Sequence, residues 1–213
     1  VTPQATGIAL LAMEPLLSPS RLPMFDAERG TTLIRLARAA IAAQFGVPLP
    51  DAADESWLIE PGACFVTLIL NSKLRGCIGS LAAHRPLKHD VHANAVAAAF
   101  RDPRFAPLQL MEFADTAVEV SLLSLMKTLE FDSEQGALAQ LRPGVDGVVF
   151  EYEHYHSTFL PQVWEQLKTP EVFMAQLKRK AGLPADFWAD DMNISRYEVT
   201  KWKEHELARR EVR

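Results

Sequence analysis

Two neighbouring runs of sequence decide the fold of this chain: ACFVTLIL at residues 63–70 and LRGCIGSL at residues 74–81. Both runs are rich in residues that favour extended structure, and the polar triplet between them, residues 71–73, is typical of a tight turn. We therefore predict two antiparallel strands joined as a hairpin.

The second run places one of the two cysteines, Cys77, between two glycines and two residues after an arginine. Alternate side chains of a strand share a face, so Arg75, Cys77 and Gly79 are expected to point the same way. A guanidinium roughly 7 Å from the sulfur would favour the thiolate by at most ~2 kcal/mol. Cys77 is therefore a candidate nucleophile or redox thiol with open access over Gly79. The alternative is a small residue packed in a glycine-rich hairpin.

The rest of the chain mixes helical and strand patterns. Apolar residues or caps typical of helices occupy residues 27–45, 86–101, 134–141 and 170–181. Strand patterns occupy residues 117–122, 148–155 and 193–203. Strands that follow one another closely, interspersed with helices, predict an α+β fold with mainly antiparallel sheets and flanking helices.

Composition and charge exclude several classes of protein. With 213 residues, 48% of them hydrophobic, the chain can bury a core as one large domain or two small lobes. Its longest apolar run falls far short of the ~20 residues of a membrane helix. The apolar stretch at residues 8–13 lacks a basic leader, so we expect a cytoplasmic protein. The net charge of −5 disfavours nucleic acid as a partner. The basic run at residues 178–180 suits the end of a helix.

Two cysteines are too few for a disulfide scaffold or a four-thiolate metal site. In the predicted hairpin they lie on the order of 13 Å apart, so we expect two free thiols, with Cys64 buried. His154 and His156 share a predicted strand face, and His89 and His92 lie one helical turn apart. Neither pair has a nearby carboxylate or thiol, so we predict solvent-exposed histidines and no metal. The sequence has no phosphate-binding loop or dinucleotide fingerprint, and we expect no cofactor.

Asp102 and Arg104 flank a proline at the end of a predicted helix and have two interpretations. In the first, they form a turn that their own ion pair stabilises, and an exposed ion pair of this kind contributes roughly 0–1 kcal/mol to stability. Alternatively, Arg104 projects into a cleft and binds an anion with its forked guanidinium. Asp146, inside the sequence RPGVDG at residues 142–147, is expected to be a turn residue.

Taken together and in order, several motifs resemble the AMMECR domain family, whose bacterial and archaeal members are called AmmeMemoRadiSam system protein A. The motifs are VTL at 66–68, LRGCIG at 74–79, DPRF at 102–105, VEVSLL at 118–123, PGVDGV at 143–148, TFLPQVW at 158–164 and KAGL at 180–183. The sequence EHYH at 153–156 departs from the small and basic residues expected there, so its histidines are not carried over as functional residues.

The resemblance implies two unequal lobes around a cleft, within a single AMMECR-type domain over residues 22–206. Residues 1–21 and 207–213 are expected to be mobile or loosely packed ends. Family members are often encoded beside, or fused to, a Memo-like protein and a radical-SAM protein, which makes these two proteins the expected partners. Any radical chemistry would then belong to a partner.

Our leading hypothesis is a cysteine-dependent enzyme or small-molecule-processing protein that acts on a small anionic ligand, with Cys77 as the catalytic residue. The candidate substrate-binding residues are Arg75, Gly76, Gly79, Asp102 and Arg104. The alternative hypothesis is a non-catalytic module that binds a ligand or a protein segment in the same cleft, with Cys77 in a structural role.

Overall fold

The computed structural model describes residues 22–50 and 55–211 of the chain. The helices are α1 (Leu22–Gln44), α2 (Leu87–Phe100), α3 (Leu110–Phe113), α4 (Glu134–Leu138), α5 (Pro170–Ala181) and α6 (Glu204–Glu211), with short 3-10 helices at Ser56–Leu58 and Pro161–Glu165. The strands are β1 (Cys64–Leu70), β2 (Lys73–Gly79), β3 (Thr116–Leu123), β4 (Lys127–Thr128), β5 (Gly147–Tyr152), β6 (Tyr155–Phe159), β7 (Asn193–Tyr197) and β8 (Val199–Lys203).

The strands form two four-stranded antiparallel sheets, with strand orders β2-β1-β3-β8 and β4-β7-β5-β6. The predicted α+β fold is therefore confirmed. Strands β3 and β8 are neighbours in the first sheet, yet the whole second sheet lies between them in sequence. The second lobe (β4–β7, α4 and α5) is thus inserted into the first lobe (β1–β3, β8, α1–α3 and α6), which has the larger core.

The two chain crossings between the lobes lie side by side. The backbone N–H of Ser124 donates to the carbonyl oxygen of Glu198 over 2.9 Å. The backbone N–H of Glu198 in turn donates to the hydroxyl of Ser124 over 2.9 Å. A small apolar cluster around Leu123 and Tyr197 packs next to these crossings. The lobes are therefore joined at a hydrogen-bonded pair of residues as well as by apolar contact.

In the first lobe, helices α1 and α2 cover one face of the sheet, where Val66, Leu68, Val118 and Val120 are fully buried. Because side chains alternate along a strand, residues 67, 119, 121 and 201 belong to the opposite face. Unlike the helix-covered face, this face carries polar side chains among apolar ones such as Phe65 and Val199, and it turns toward the second lobe; we call it the polar face.

The second lobe packs α5 on its sheet, with the Trp164 and Phe173 rings stacked at 3.8 Å between centroids. Thr169 caps the start of α5, and Gly182, at φ +97°, ends it in the left-handed conformation that glycine tolerates best. Lys178 is buried in this lobe, and its ammonium group donates to Glu134 over 2.6 Å. The basic run at 178–180 therefore ends a helix, as predicted.

Two predicted strands are each divided in the structure. The segment 148–155 turns at residues 153 and 154, so that His154 lies in a turn and shares no strand face with His156. The segment 193–203 breaks at Glu198, and its halves belong to different sheets. Of the predicted loose ends, residues 1–21 and 212–213 lie outside the described residues. Residues up to 211 continue α6, whose Leu207 packs on the first core.

Candidate functional site

The predicted hairpin forms, but its second strand contains a β-bulge. Gly76 and Leu74 pair with consecutive residues of β1, so that Arg75 between them is an extra residue. The extra residue reverses the alternation of side chains on one side of the bulge. Leu74, and not Arg75, lines the same cleft as Cys77. The expectation that Arg75 and Cys77 point the same way is therefore wrong.

Arg75 instead anchors the segment that follows α2 to the edge of the sheet. Its Nε and Nη2 atoms donate to the two carboxylate oxygens of Glu112 over 3.0 and 2.9 Å, and its Nη1 donates to the carbonyl oxygen of Ala106 over 2.9 Å. This pairing with Arg75 is the main cause that lowers the pKa of Glu112. All three guanidinium nitrogens of Arg75 are thus occupied away from the cleft.

A cleft of about 460 Å³ separates the polar face of the first sheet from the loop that follows β6 in the second lobe. Its polar lining residues are Thr67, Cys77, Arg104, Ser121, Gln162 and Lys201. Its apolar lining residues are Phe65, Leu74, Leu160, Pro161 and Val199. The cleft therefore combines hydrogen-bonding groups and cations with an apolar wall, which is typical of small-molecule sites.

Cys77 is a half-buried free thiol at the edge strand of the first sheet. The hydroxyl of Thr67 donates to its sulfur over 3.2 Å. The backbone N–H of Cys77 donates to Asp102 over 2.8 Å, and its carbonyl oxygen accepts from Nη2 of Arg104 over 3.1 Å. The side chains of Asp102 and Arg104 thus pair the backbone groups of Cys77 in place of a neighbouring strand.

Asp102 and Arg104 form the predicted ion-paired turn, and Arg104 also reaches the cleft. Asp102 is 3% exposed and accepts from the backbone N–H, Nε and Nη2 of Arg104 over 3.1, 2.9 and 2.6 Å. Arg104, helped by the N–H of Cys77, holds the pKa of Asp102 well below its usual range. The side chain of Arg104 is 53% exposed and lines the cleft. The pair therefore fastens the turn and also presents a cation.

The two glycines of the motif serve the packing of the chain itself. A Cβ atom at Gly76 would lie 2.1 Å from the carbonyl oxygen of Ala98, so this position faces α2. A Cβ atom at Gly79 would lie 2.2 Å from the ring of Phe65, which covers Gly79. The expected open access over Gly79 is thus filled by a side chain. Of the predicted residues, Cys77 and Arg104 line the cleft, and Asp102 supports them.

The remaining candidates lie outside the cleft. Cys64 is fully buried, and burial raises the pKa of its thiol far above its usual range. Asp146 is a fully buried turn residue that accepts from the backbone and guanidinium of Arg142. His89 and His92 are exposed on α2.

Within residues 22–50 and 55–211, no group of three or more histidine, cysteine or acidic side chains could hold a metal ion. The same ranges contain no helix with the length and apolarity to cross a membrane.

Four polar residues of the cleft were missed from the sequence: Thr67, Ser121, Gln162 and Lys201. Thr67 and Ser121 carry a signal, because each is a polar residue within a largely apolar strand. Lys201 carries no such signal, because its strand β8 is mostly polar. Gln162 carries none, since only the arrangement of the two lobes brings its loop over the first sheet.

Comparison with known proteins identifies the family. A model of the AMMECR1 family matches residues 34–202. Protein MJ0810 of Methanocaldococcus jannaschii is 35% identical over 188 residues, which cover 84% of this chain and 92% of that protein. Protein SSO0193 of Saccharolobus solfataricus is 37% identical over 186 residues, which cover 83% of this chain and 82% of that protein.

A solved structure shares the fold. The crystal structure of the uncharacterized protein PH0010 from Pyrococcus horikoshii matches with a TM-score of 0.70 and 33% identity, covering 83% of this chain and 92% of that one. The predicted resemblance to the AMMECR domain family is thereby confirmed. Because the family model spans most of the sequence, this chain belongs to the AMMECR1 family.

Proposed function

We propose that the cleft binds a small anionic molecule at Arg104 and holds it against the thiol of Cys77. One observation carries this proposal: the guanidinium of Arg104 is fixed on the peptide group of Cys77, yet half of its side chain remains exposed in the cleft. A cation that is already held in place loses little conformational entropy when it binds a ligand.

The hydrogen bonds of Arg104 leave one edge of the guanidinium for a ligand. Nε and Nη2 are occupied by Asp102 and by the carbonyl oxygen of Cys77, whereas Nη1 makes no hydrogen bond to any residue that the structure describes. A carboxylate or phosphate oxygen is the natural acceptor for such a donor. Gln162 lines the cleft from the second lobe and supplies an amide for the same ligand.

The carboxylate of Asp102 cancels much of the charge of Arg104. Binding therefore depends on directed hydrogen bonds more than on a net positive potential. The apolar wall of Phe65, Leu160 and Val199 can supply the remaining free energy, at roughly 25 cal/mol per Å² of apolar surface buried. We therefore expect ligands that join an acid group to an apolar body.

The sulfur of Cys77 is the reacting atom in the enzyme form of this proposal. It accepts a hydrogen bond from Thr67, and the guanidinium of Arg104 is bound to the carbonyl oxygen of the same residue. Among the described residues that line the cleft there is no histidine to act as a general base. We propose a cysteine-dependent enzyme or small-molecule-processing protein in which the ligand or water accepts the thiol proton. The alternative is a binding module in which the thiol stays unreacted.

We also propose, from the family resemblance, that a Memo-like protein and a radical-SAM protein act with this chain. We propose the cytoplasm as its location. Two free thiols, one of them half-exposed, support a reducing compartment.

Calorimetric titration with octanoate, which joins one carboxylate to an apolar chain, tests the binding proposal. We expect Arg104→Lys to weaken binding about tenfold, because lysine keeps the charge beside Asp102 but has no Nη1 group held toward the cleft by a fork on Asp102. Arg101→Met is the matched control, since Arg101 is exposed and does not line the cleft. Equal affinity for octanoate in the wild type and Arg104→Lys would overturn the proposal.

Alkylation by iodoacetamide separates the enzyme from the binding module. The enzyme proposal expects Cys77 to react faster in the folded protein than in the chain unfolded in urea at the same pH, and octanoate to slow the reaction of the folded protein. Cys64 is the internal control, because it is fully buried and should stay unlabelled until the protein unfolds. Alkylation of Cys77 that is no faster in the folded protein than in the unfolded chain would contradict the enzyme and leave the binding module.

A further inference from the structure

The end of the cleft away from Cys77 contains a second group of polar side chains. Ser121 on β3 and Lys201 on β8 are directly opposite each other in the antiparallel ladder, and both line the cleft. Ser121 is 8% exposed, and its hydroxyl makes no hydrogen bond to the residues described. The hydroxyl is not among the fully buried atoms that lack a partner, so its remaining exposure is to the cleft, where a ligand can reach it.

Lys201 brings a cation to the same place. Its ammonium group is paired with Glu119 over 3.2 Å, and its side chain is 40% exposed. A partly exposed ion pair of this kind is weak, and an ammonium group has three N–H donors. Lys201 can therefore bind a second acceptor while Glu119 holds it in position.

The strand order sets the distance between the two ends of the cleft. Cys77 lies on β2, whereas Ser121 and Lys201 lie two and three strands away. With adjacent strands about 4.8 Å apart, the ends are separated by about 10–14 Å. Between them lies β1, where Phe65 is directly opposite Ser121 and gives the path an apolar surface beside the hydroxyl of Thr67.

We infer that the ligand carries an oxyanion at each end and an apolar chain between them. One acid group binds Arg104 beside Cys77, and the other accepts hydrogen bonds from Ser121 and Lys201. The inference rests on the proposed function, because Arg104 binds the first group. It adds the class of ligand: a linear diacid whose acid groups are about 10–14 Å apart.

Glu119 is the partner of Lys201 that a second acid group has to share. Its side chain is largely buried and does not line the cleft, so it contacts Lys201 from the side and not the ligand. The carboxylate of Glu119 competes with the second acid group for the ammonium. Replacing it with glutamine removes the competing charge and should favour diacids without changing the binding of monoacids.

Calorimetric titration of the intact chain with paired probes tests the inference. Sebacate and dodecanedioate are diacids of suitable length, and decanoate and dodecanoate are monoacids with the same numbers of carbons. We expect each diacid to bind about tenfold more tightly than its monoacid, as one added charge-assisted contact allows. Lys201→Met should abolish this difference, Ser121→Ala should reduce it, and Glu119→Gln should increase it.

Lys127→Met is the matched control, because Lys127 is an exposed lysine on β4 that does not line the cleft. Equal affinity for diacid and monoacid in the wild type, with Arg104 still required for both, would overturn this inference and leave the proposed function standing. Binding of neither probe would overturn both. A diacid preference that survives in Lys201→Met and Ser121→Ala would also overturn the inference, since the second group would then bind elsewhere.

Discussion

Replacing Asp102 with asparagine tests whether this carboxylate holds Arg104 and the edge strand together. Asp102 accepts four hydrogen bonds, one from the backbone of Cys77 and three from Arg104. Asparagine has nearly the same shape but one acceptor oxygen, and its amide hydrogens would face other donors. At least two of the four bonds are lost in Asp102→Asn.

The loss of unfolding free energy in Asp102→Asn depends on which of these hydrogen bonds are buried. A hydrogen bond to a charged group contributes about 1.5–3 kcal/mol, and the bonds from the half-exposed Arg104 count for less because water replaces them. We expect Asp102→Asn to lower the free energy of unfolding by about 2–3 kcal/mol. For a chain of this size that corresponds to a fall of about 4–12 °C in Tm.

The effect should also depend on pH. The folded pKa of Asp102 lies below its ordinary value of 3.8, so the ionised group stabilises the folded state fully above that value. The stabilisation is lost as the pH falls toward the folded pKa. The difference in unfolding free energy between the wild type and Asp102→Asn should therefore be constant near neutral pH and shrink below about pH 4.

Urea denaturation at several pH values, monitored by circular dichroism, measures both effects. Asp115→Asn is the matched control, because Asp115 is exposed, and it should change the stability by less than about 0.5 kcal/mol. The reasoning is refuted if Asp102→Asn is as stable as this control, or if its deficit persists unchanged into acid.

Two further predictions concern the motif LRGCIG at residues 74–79. Gly76→Ala should lower the free energy of unfolding by about 3 kcal/mol or more, because the new Cβ would meet the backbone of Ala98. The control Gly144→Ala, at φ +79° in open space, should lower it by only about 1 kcal/mol, and equal stability of the two variants in thermal melts would contradict this prediction. Arg75→Gln should lower the free energy of unfolding by about 1–2 kcal/mol through the lost pair with Glu112 and leave the alkylation rate of Cys77 unchanged. Slower alkylation of Cys77 in the folded variant would show that Arg75 does act on the thiol.

The sequence predicted the parts of the structure that depend on local rules. The hairpin at residues 63–81 and the helix at residues 170–181, which Thr169 and Gly182 cap, follow from short-range preferences for turns, strands and helix ends. The pair of Asp102 and Arg104 was also visible, because both residues belong to one turn. The burial of Asp102 was not visible, since it depends on the edge of β2.

The features that the sequence did not predict depend on contacts between distant segments. The bulge at Arg75 comes from a register shift against β1, and alternation along β2 alone cannot show it. The break at Glu198 was missed because β7 and β8 both have strand patterns, and only the two sheets distinguish them. The end of the cleft away from Cys77 is formed by Ser121 on β3 and Lys201 on β8, which are far apart in sequence.

A comparison of two alkylating agents shows whether Arg104 binds anions beside the thiol of Cys77. Iodoacetate is an anion and iodoacetamide is neutral, while both transfer their carbon to the same sulfur. We expect the ratio of the iodoacetate rate to the iodoacetamide rate at Cys77 to be higher in the folded protein than in the chain unfolded in urea. That ratio should fall in Arg104→Met and stay high in Arg75→Met. The same ratio in the folded, unfolded and Arg104→Met proteins would show that Arg104 binds no anion at this thiol.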